Sequence, residues 1–283
     1  MRLLILTPAP DEPRYARIST QWMDRLAAPL AGAGLEVVSR PWTEPGDLSD
    51  VEAVSPLLTW GYHKRPDDWS RLLDQLAATA PRVINPAEDL AWNTRKTYLA
   101  RIEAAGAPVV ATLFAERLTP ALIEEAHARF GETIIAKPQV SGGSFETVRL
   151  TPGADLSGAP RGPVMLQPFL PAVAEEGELS LLYFGGRFSH AVGKVAQAGD
   201  FRVQFQYGGT YGALTPPPEA LAAAEVVLAA AARPLTYARI DLIRDTEGVL
   251  RLMELEAIEP DLYLDLAPDG GAAFAQAVAA AMG

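Results

Sequence analysis

The sequence predicts an α/β segment with a parallel sheet, followed by an α+β segment rich in antiparallel strands. Three observations carry this. Over roughly residues 1–88, short apolar runs alternate with segments of helical period, the rhythm of βαβ units. From Thr133 to Phe169 the runs shorten, and glycine- and proline-rich loops separate them. Farther on, two pairs of β-rich runs flank tight-turn residues, the signature of hairpins.

The elements follow in order. Leu3–Leu6 reads as a buried first strand, ended by Pro8 and Pro10. Trp22, Met23, Leu26 and Leu30 recur at helical spacing. After the Gly32-Ala33-Gly34 break, Leu35–Val38 makes a second strand and Val54–Leu58 a third, which runs into Thr59-Trp60-Gly61-Tyr62. Trp69, Leu72, Leu73 and Leu76 mark another helix, and Arg82–Ile84 a short strand. Asn93 is the expected N-cap of a helix running through Lys96, Leu99 and Ile102 to Gly106. Thr119-Pro120 supplies a cap and an N1 proline for a helix that ends near Gly131. Gly185-Gly186 joins Leu179–Phe184 to Arg187–Val192, and Asp245–Gly248 joins Tyr237–Arg244 to Val249–Glu256. A helix near Pro218–Ala232 lies between the hairpins, and another closes the chain.

The chain has 283 residues, 24 basic against 35 acidic, and a net charge of −11. This balance argues against a general nucleic-acid binder, which needs a basic face to displace counterions. A few local Lys and Arg can still hold an anionic small ligand. Zero cysteine excludes disulfides, thiolate zinc sites, iron–sulfur clusters and a Cys nucleophile. No stretch reads as a signal segment or a membrane span, so the expected location is the cytoplasm.

The last hairpin is the most informative feature. With its turn centred on Thr246-Glu247, Asp241 falls opposite Leu252. Alternation then places Ile240, Leu242, Met253 and Leu255 on an apolar face, and Arg239, Asp241, Glu254 and Glu256 on the other. Crowded carboxylates on one sheet face are destabilising unless neutralised. Oxygen ligands without cysteine suit Mg²⁺. The alternative is a solvated face with Arg239 as its counter-charge.

Three weaker signals precede it. Lys137 ends the apolar run Ile134–Pro138 and is followed by Ser141-Gly142-Gly143-Ser144, a small-residue loop suited to phosphate. It is no P-loop, and a lysine snorkelling from a strand end is the alternative. Gln167-Pro168-Phe169-Leu170 exits a strand with Glu178 downstream, which suits an adenine edge or an ordinary interdomain connection. Gly199-Asp200-Phe201-Arg202 with Tyr207-Gly208-Gly209 reads as a loop closing over an anion, or as a plain surface loop.

The order of these pieces is more specific than any one. Lys96, then Lys137 with its glycine loop, then Gln167 and Glu178, then Arg202, and last Asp241, Glu254 and Glu256, resembles the ATP-grasp superfamily. The branch with glutathione synthetase, the ribosomal-protein glutamate ligases and the cyclo-ligase of D-cycloserine biosynthesis is the most similar. Asn85-Pro86, Trp92–Leu99, Met253–Glu256 and Glu259-Pro260 resemble the cyclo-ligase group in particular. The resemblance spans nearly the whole chain, with residues 10–50 its weakest part.

The resemblance implies an ATP-grasp architecture: an N-terminal parallel-sheet α/β domain at 1–88 and an ATP-grasp domain at 89–283, with a lid subdomain at about 109–168. Its two α+β subdomains would clamp ATP. Lys96 and Lys137 would contact the phosphates, with Ser141, Gly142, Gly143 and Ser144 as a lid over them. Gln167 and the backbone of Pro168, Phe169 and Leu170 would meet adenine, and Glu178 the ribose. Asp241, Glu254 and Glu256 would carry one or two Mg²⁺ ions, with Mn²⁺ as a substitute. Lys194 and Arg202 would face the γ-phosphate or an acyl-phosphate. The implied reaction is ATP- and Mg²⁺-dependent carbon–nitrogen ligation: ATP phosphorylates a carboxylate and an amine displaces the phosphate. Positioning and charge neutralisation supply most of the rate in such phosphoryl transfer, so no side-chain nucleophile is needed.

Two departures stand out. Glu256 occupies a position that is often Asn in the superfamily, and an arginine that glutathione synthetase carries after the ribose acid is replaced near Leu179-Ser180. Substrate candidates are Thr59, Trp60, Tyr62, His63, Tyr207, Tyr211, Glu259 and Asp261. His190 reads first as a structural histidine. Expected partners are a small-molecule carboxylate and amine, with no nucleic acid or membrane and a possible homodimer. Competing readings are a catalytically silent ATP-binding sensor with the same fold and, more remotely, a two-lobed solute-binding protein.

Overall fold

The computed structural model describes the chain apart from residues 80, 198, 200 and 204–206 and the side chains of residues 13, 14, 16 and 17. Asp200 of the arginine-loop motif therefore lies outside the described residues.

The N-terminal run builds β1 (Arg2–Thr7), α1 (Pro13–Gly32), β2 (Glu36–Pro41), β3 (Ala53–Ser55), α2 (Pro66–Ala78) and β4 (Arg82–Val83). The four strands pair in the order β2-β1-β3-β4, all parallel. β1 is buried on both faces, which is why its sequence is an unbroken apolar run rather than an alternating one. Leu3 and Ile5 pack with Leu26 and Leu30 of α1, while Leu4 and Leu6 pack with Trp69, Leu72 and Leu76 of α2. β3 stops before the expected Leu58 because Pro56 follows it, and Pro56 starts a turn closed by the Thr59 N–H.

Next come α3 (Ala87–Thr94), α4 (Tyr98–Ala104), β5 (Leu113–Ala115), α5 (Pro120–Phe130), β6 (Ile134–Pro138), β7 (Val148–Leu150) and β8 (Val164–Pro168). The strands form an antiparallel sheet, β5-β8-β6-β7, backed by α5. Thr119 caps α5 as expected, its hydroxyl accepting from the Leu122 N–H at 3.2 Å.

The rest of the chain is α6 (Ala172–Glu175), β9 (Glu178–Phe184), β10 (Arg187–Val195), β11 (Thr210–Leu214), α7 (Pro218–Ala231), β12 (Tyr237–Arg244), β13 (Leu250–Glu256) and α8 (Ala272–Met282). Its sheet runs β11-β10-β9-β12-β13, antiparallel throughout. One region of this sheet packs on α4 and α7 through Leu181, Ile240, Leu242, Leu252 and Leu255. Leu182, Phe184 and Tyr237 pack instead with Phe274 of α8 and with the core of the N-terminal sheet.

Two expectations need correction. Asn93 does not cap a helix; it lies inside α3, and Arg95–Thr97 breaks the chain before α4. Lys96 is thus a break residue, because its N–H turns to the Gln139 carbonyl at 2.8 Å instead of a helical one. The Asn93 amide is used on β13: Nδ2 donates to the Leu255 carbonyl at 2.8 Å and Oδ1 accepts the Ala257 N–H at 2.9 Å.

The register of the last hairpin also differs. The Asp245 N–H bonds to the Val249 carbonyl, so the turn is one residue longer than expected. A bulge then inserts Met253, and Asp241 pairs with Glu254 rather than with Leu252. Leu252, not Met253, shares the apolar face of Ile240, Leu242 and Leu255, while Met253 packs near Phe169 and Ile243.

Candidate active site

The outer face of β9, β10, β12 and β13 gathers the charged side chains. Ser180, Asp241 and Glu254 stand in line across three strands, and Arg239 stands opposite Glu256. The Arg239 guanidinium grips Asp241, Nε to Oδ1 at 3.0 Å and Nη2 to Oδ2 at 2.9 Å, and also bonds Glu256. The Ser180 hydroxyl donates to Asp241 Oδ1 at 2.5 Å. Lys194 Nζ lies 2.9 Å from Glu178 and 3.2 Å from Asp241.

Burial sets the electrostatics and the partners decide them. Burial alone would raise the Asp241 carboxyl, but Arg239 and Lys194 hold it well below the usual carboxylate range. Burial would lower the Lys194 ammonium, but Asp241 and Glu178 overcome it and keep the charge in place. Glu256 goes the other way. Burial, reinforced by Glu254 and Asp241, lifts it to about 7 despite Arg239. Burial also lifts Glu259 well above the ordinary range, with Glu256 adding to the effect.

A second group comes from the helix break and the glycine loop. Lys96 Nζ donates to the Ser141 carbonyl at 2.7 Å and pairs with Glu254 at 2.9 Å. Gln139 sets this geometry. Its carbonyl holds the Lys96 N–H, its Oε1 accepts from Arg95 Nε at 2.6 Å, and its Nε2 donates to the Ala115 and Val164 carbonyls. Lys137 is buried at the end of β6 with no hydrogen bond or ion pair to another described residue, and burial lowers its affinity for a proton. The loop beyond it turns sharply, with Ser144 and Glu146 in the left-handed region at φ 58° and 48°.

The other predicted residues are placed as follows. Gln167 is buried, and its Nε2 donates to the Thr112 hydroxyl at 2.9 Å. Pro168 ends β8, the Phe169 N–H is taken by the Thr133 carbonyl, and the Leu170 carbonyl accepts the Val173 N–H. Glu178 is tied to Lys194. Arg202 stacks on Tyr207, its guanidinium carbon 3.6 Å from the ring centre. Asp241, Glu254 and Glu256 share a face but do not form a cage: among the described residues no group of three or more His, Cys, Asp or Glu is set to hold a metal. Each is shared out among Arg239, Lys194 and Lys96 instead. Sequence reasoning missed Gln139, named Ser180 only as a departure from the family pattern, and gave Arg239 a role only in the alternative reading, as the counter-charge of a solvated face. Only Arg239 had a readable signal, its alternation with Asp241.

A model of the N-terminal domain of D-cycloserine synthetase DcsG matches residues 4–85. The cycloserine biosynthesis protein DcsG of Streptomyces lavendulae is 28% identical over 260 residues, covering 82% of this chain and 84% of the relative. The crystal structure of D-cycloserine synthetase DcsG matches across 100% of both chains, with a TM-score of 0.86 and 26% identity. The chain belongs to the ATP-grasp superfamily. Within that superfamily it falls with the DcsG-like group. The ATP-grasp ligase PsnB, solved with a phosphomimetic variant of its minimal precursor, Mg and ADP, shares the fold over 100% of this chain and 98% of its own, at a TM-score of 0.66 and 19% identity. As an ATP-grasp enzyme the chain forms carbon–nitrogen bonds with ATP and Mg²⁺ and releases ADP. No described helix is long and apolar enough to cross a membrane.

The residues present fit these two groups. Lys137 is a buried ammonium without a described partner, which an anion would complete. Asp241, Glu254 and Glu256 present carboxylate oxygens on one face, and a divalent cation could take the place of Lys96 and Arg239 as the counter-charge of Glu254 and Glu256. The donors are all oxygens, the set that suits Mg²⁺.

Proposed function

We propose that the ligation site is the face between the glycine loop and the β12–β13 pair, and that it joins an amino-acid-like carboxylate to an amine. One observation carries this: Lys96 bridges the Ser141 carbonyl and Glu254, so one cation already links the loop that would cover phosphate to an acid that would hold metal. In this reading Lys96, Lys137 and the Ser141–Ser144 loop hold the phosphates. Gln167 and the segment 168–170 flank adenine, with Glu178 near the ribose. Glu254, Glu256 and Asp241 would hold Mg²⁺, one or two ions, with Lys96, now paired with Glu254, free to turn to phosphate. Lys194 keeps Glu178 and Asp241 in place, and Arg202 approaches the transferred phosphoryl group. Positioned cations and metal stabilise the charge that develops there.

The same reading takes residues 1–88 and 89–283 as the two units, with 109–168 as the lid, since the β5-β8-β6-β7 sheet falls inside that range. A net charge of −11 supports an enzyme without nucleic-acid or membrane partners, and the reading keeps a cytoplasmic location and a possible homodimer. The relatives' names, cycloserine biosynthesis protein and D-cycloserine synthetase, favour an amino-acid-derived substrate. No observation favours the silent sensor.

The test is ADP release from Mg²⁺-ATP with a panel of L- and D-amino acids offered as both carboxylate and amine, D-serine derivatives included. The expected result is substrate-dependent ADP and phosphate, lost by roughly 10²-fold or more in Glu254→Gln. ADP release that ignores every acid, with Glu254→Gln unaffected, would sink this reading.

A further inference from the structure

The chain has three histidines. Two have at least one ring nitrogen in a hydrogen bond, although His127 Nε2 is buried without a partner among the described residues. His190 places its ring nitrogens 3.0 Å from the Ser189 hydroxyl and 3.1 Å from the Leu262 carbonyl, as the structural reading expects. His127 sits on α5 with Nδ1 3.0 Å from the Gly131 carbonyl. His63 is different: both ring nitrogens are buried, and neither has a hydrogen-bond partner among the described residues. A buried polar atom without a partner costs about 1–3 kcal/mol, so such a group calls for a function.

Its surroundings say which. His63 lies on a 3₁₀ turn, Tyr62–Lys64, beyond the carboxyl end of β3. Its ring packs against Phe145, centres 5.0 Å apart. A Cβ added to Gly142 would come within 3.3 Å of His63 Nδ1 and 3.2 Å of Glu259 Oε1, so imidazole and carboxyl flank the glycine loop at one residue. The neighbouring Ser141 carbonyl holds Lys96. Burial, helped by Lys64 and Lys96, holds the imidazole neutral by lowering it to about 4. The other nearby groups are committed: Asp241, Glu254 and Glu256 to cations, and Glu259 to its protonated form. A neutral base beside a carboxyl disfavours another anion and suits an N–H.

We propose that His63 accepts the proton from the attacking amine. This rests on the ligase reading above. The amine lone pair attacks the acyl-phosphate carbon and a C–N bond forms. The C–O bond to phosphate breaks, and phosphate leaves with its electron pair. The proton passes from the amine nitrogen to an imidazole nitrogen, giving an imidazolium and a neutral amide. Seclusion of the ring from water keeps the acyl-phosphate from hydrolysis.

The test separates the two half-reactions. Hydroxylamine, neutral and strongly nucleophilic at the assay pH, traps an acyl-phosphate as hydroxamate without needing a base. Wild-type enzyme and the variants His63→Ala and His63→Gln are given Mg²⁺-ATP and the amino-acid panel, with and without hydroxylamine. The expected result is hydroxamate within a few-fold of wild type but amide formation reduced by roughly 10²-fold in kcat, the low end of a general base's usual worth, because an imidazole lowered to about 4 takes a proton less readily than one matched to the assay pH. Free imidazole should restore part of the amide rate in His63→Ala. Amide formation retained within tenfold, or parallel loss of hydroxamate and amide in both variants, would overturn the assignment to His63. Wild-type enzyme yielding no hydroxamate from the panel would overturn the acyl-phosphate reading itself, and the proposal with it.

Discussion

Asp241 stands directly across the sheet from Glu254, yet the two carboxylates are held by different cations. Asp241 is buried among Arg239, Lys194 and Ser180, whereas Glu254 remains about a quarter exposed and meets Lys96. The two acids should therefore fail differently. Asp241→Asn leaves two buried cations short of charge and should lower stability by about 3 kcal/mol without nucleotide. Glu254→Gln should cost under about 1 kcal/mol. Both should abolish measurable turnover. Chemical denaturation beside ADP-release assays decides it, and equal stability losses would refute the division.

Asn93 seals the free edge of β13. Its amide pairs with the Leu255 carbonyl and the Ala257 N–H, and the Tyr98 hydroxyl both accepts the Leu255 N–H at 3.0 Å and donates to the Leu255 carbonyl at 2.9 Å. Two side chains thus do the work of a neighbouring strand along the segment that carries Glu254 and Glu256. Asn93→Ala strands the Ala257 N–H, leaves the Leu255 carbonyl to Tyr98 alone, and should cost roughly 1–3 kcal/mol. A fall in melting temperature of on the order of 5–10 °C is expected, with a larger Mg²⁺ requirement. An unchanged melting curve would remove this role.

How much of the fold is legible in the sequence depends on period. The parallel pairing near the N-terminus, the glycine hairpin and the Thr119 cap follow from local rules, and all three hold. The acid face was also legible, although by two offsetting slips. The turn is one residue longer than expected and the Met253 bulge adds another, so the parity of Glu254 and Glu256 is restored while Met253 itself changes sides. A bulge has no one-residue signature, which is why this error was invisible. The break at Lys96 was unreadable for a different reason. Its cause is the Gln139 carbonyl, distant in the chain, and local propensity carries no trace of it. The family resemblance gave the list of charged residues, but only the fold shows which cation each acid meets.

Asp261 offers a pH test. Burial, with Asp265 nearby, raises its carboxyl to about 7, and it accepts the Tyr263 N–H at 2.8 Å. A carboxyl raised on folding binds its proton in the folded state between about pH 4 and 7, where the unfolded chain has lost it. Its contribution to stability therefore falls as pH rises through that window. Asp261→Asn keeps the acceptor oxygen and removes the titration. The variant should match wild type near pH 4 and exceed it at pH 8 by on the order of 1 kcal/mol, allowing for partial exposure. Melting curves at both pH values check this, and a difference independent of pH would contradict it.

Gly177 fixes the start of β9, and with it Glu178. Its φ is +84°, and a Cβ there would lie 2.1 Å from the Lys194 carbonyl oxygen, a backbone atom that cannot swing aside. Lys194 and Glu178 are cross-strand partners as well as an ion pair, so moving either strand opens the contact that also steadies Asp241. Gly177→Ala combines an unfavourable backbone region with a steric clash. It should destabilise the chain by about 3 kcal/mol or more, and weaken nucleotide binding beyond what stability alone explains. A loop glycine after β7, Gly153, with φ +79° and nothing within 4 Å of its Cβ position, provides the control. Gly153→Ala bears the backbone cost alone, near 1 kcal/mol, and should leave fluorescent-ADP affinity unchanged. Equal effects of the two substitutions would show that the close approach to Lys194 does not position the acid.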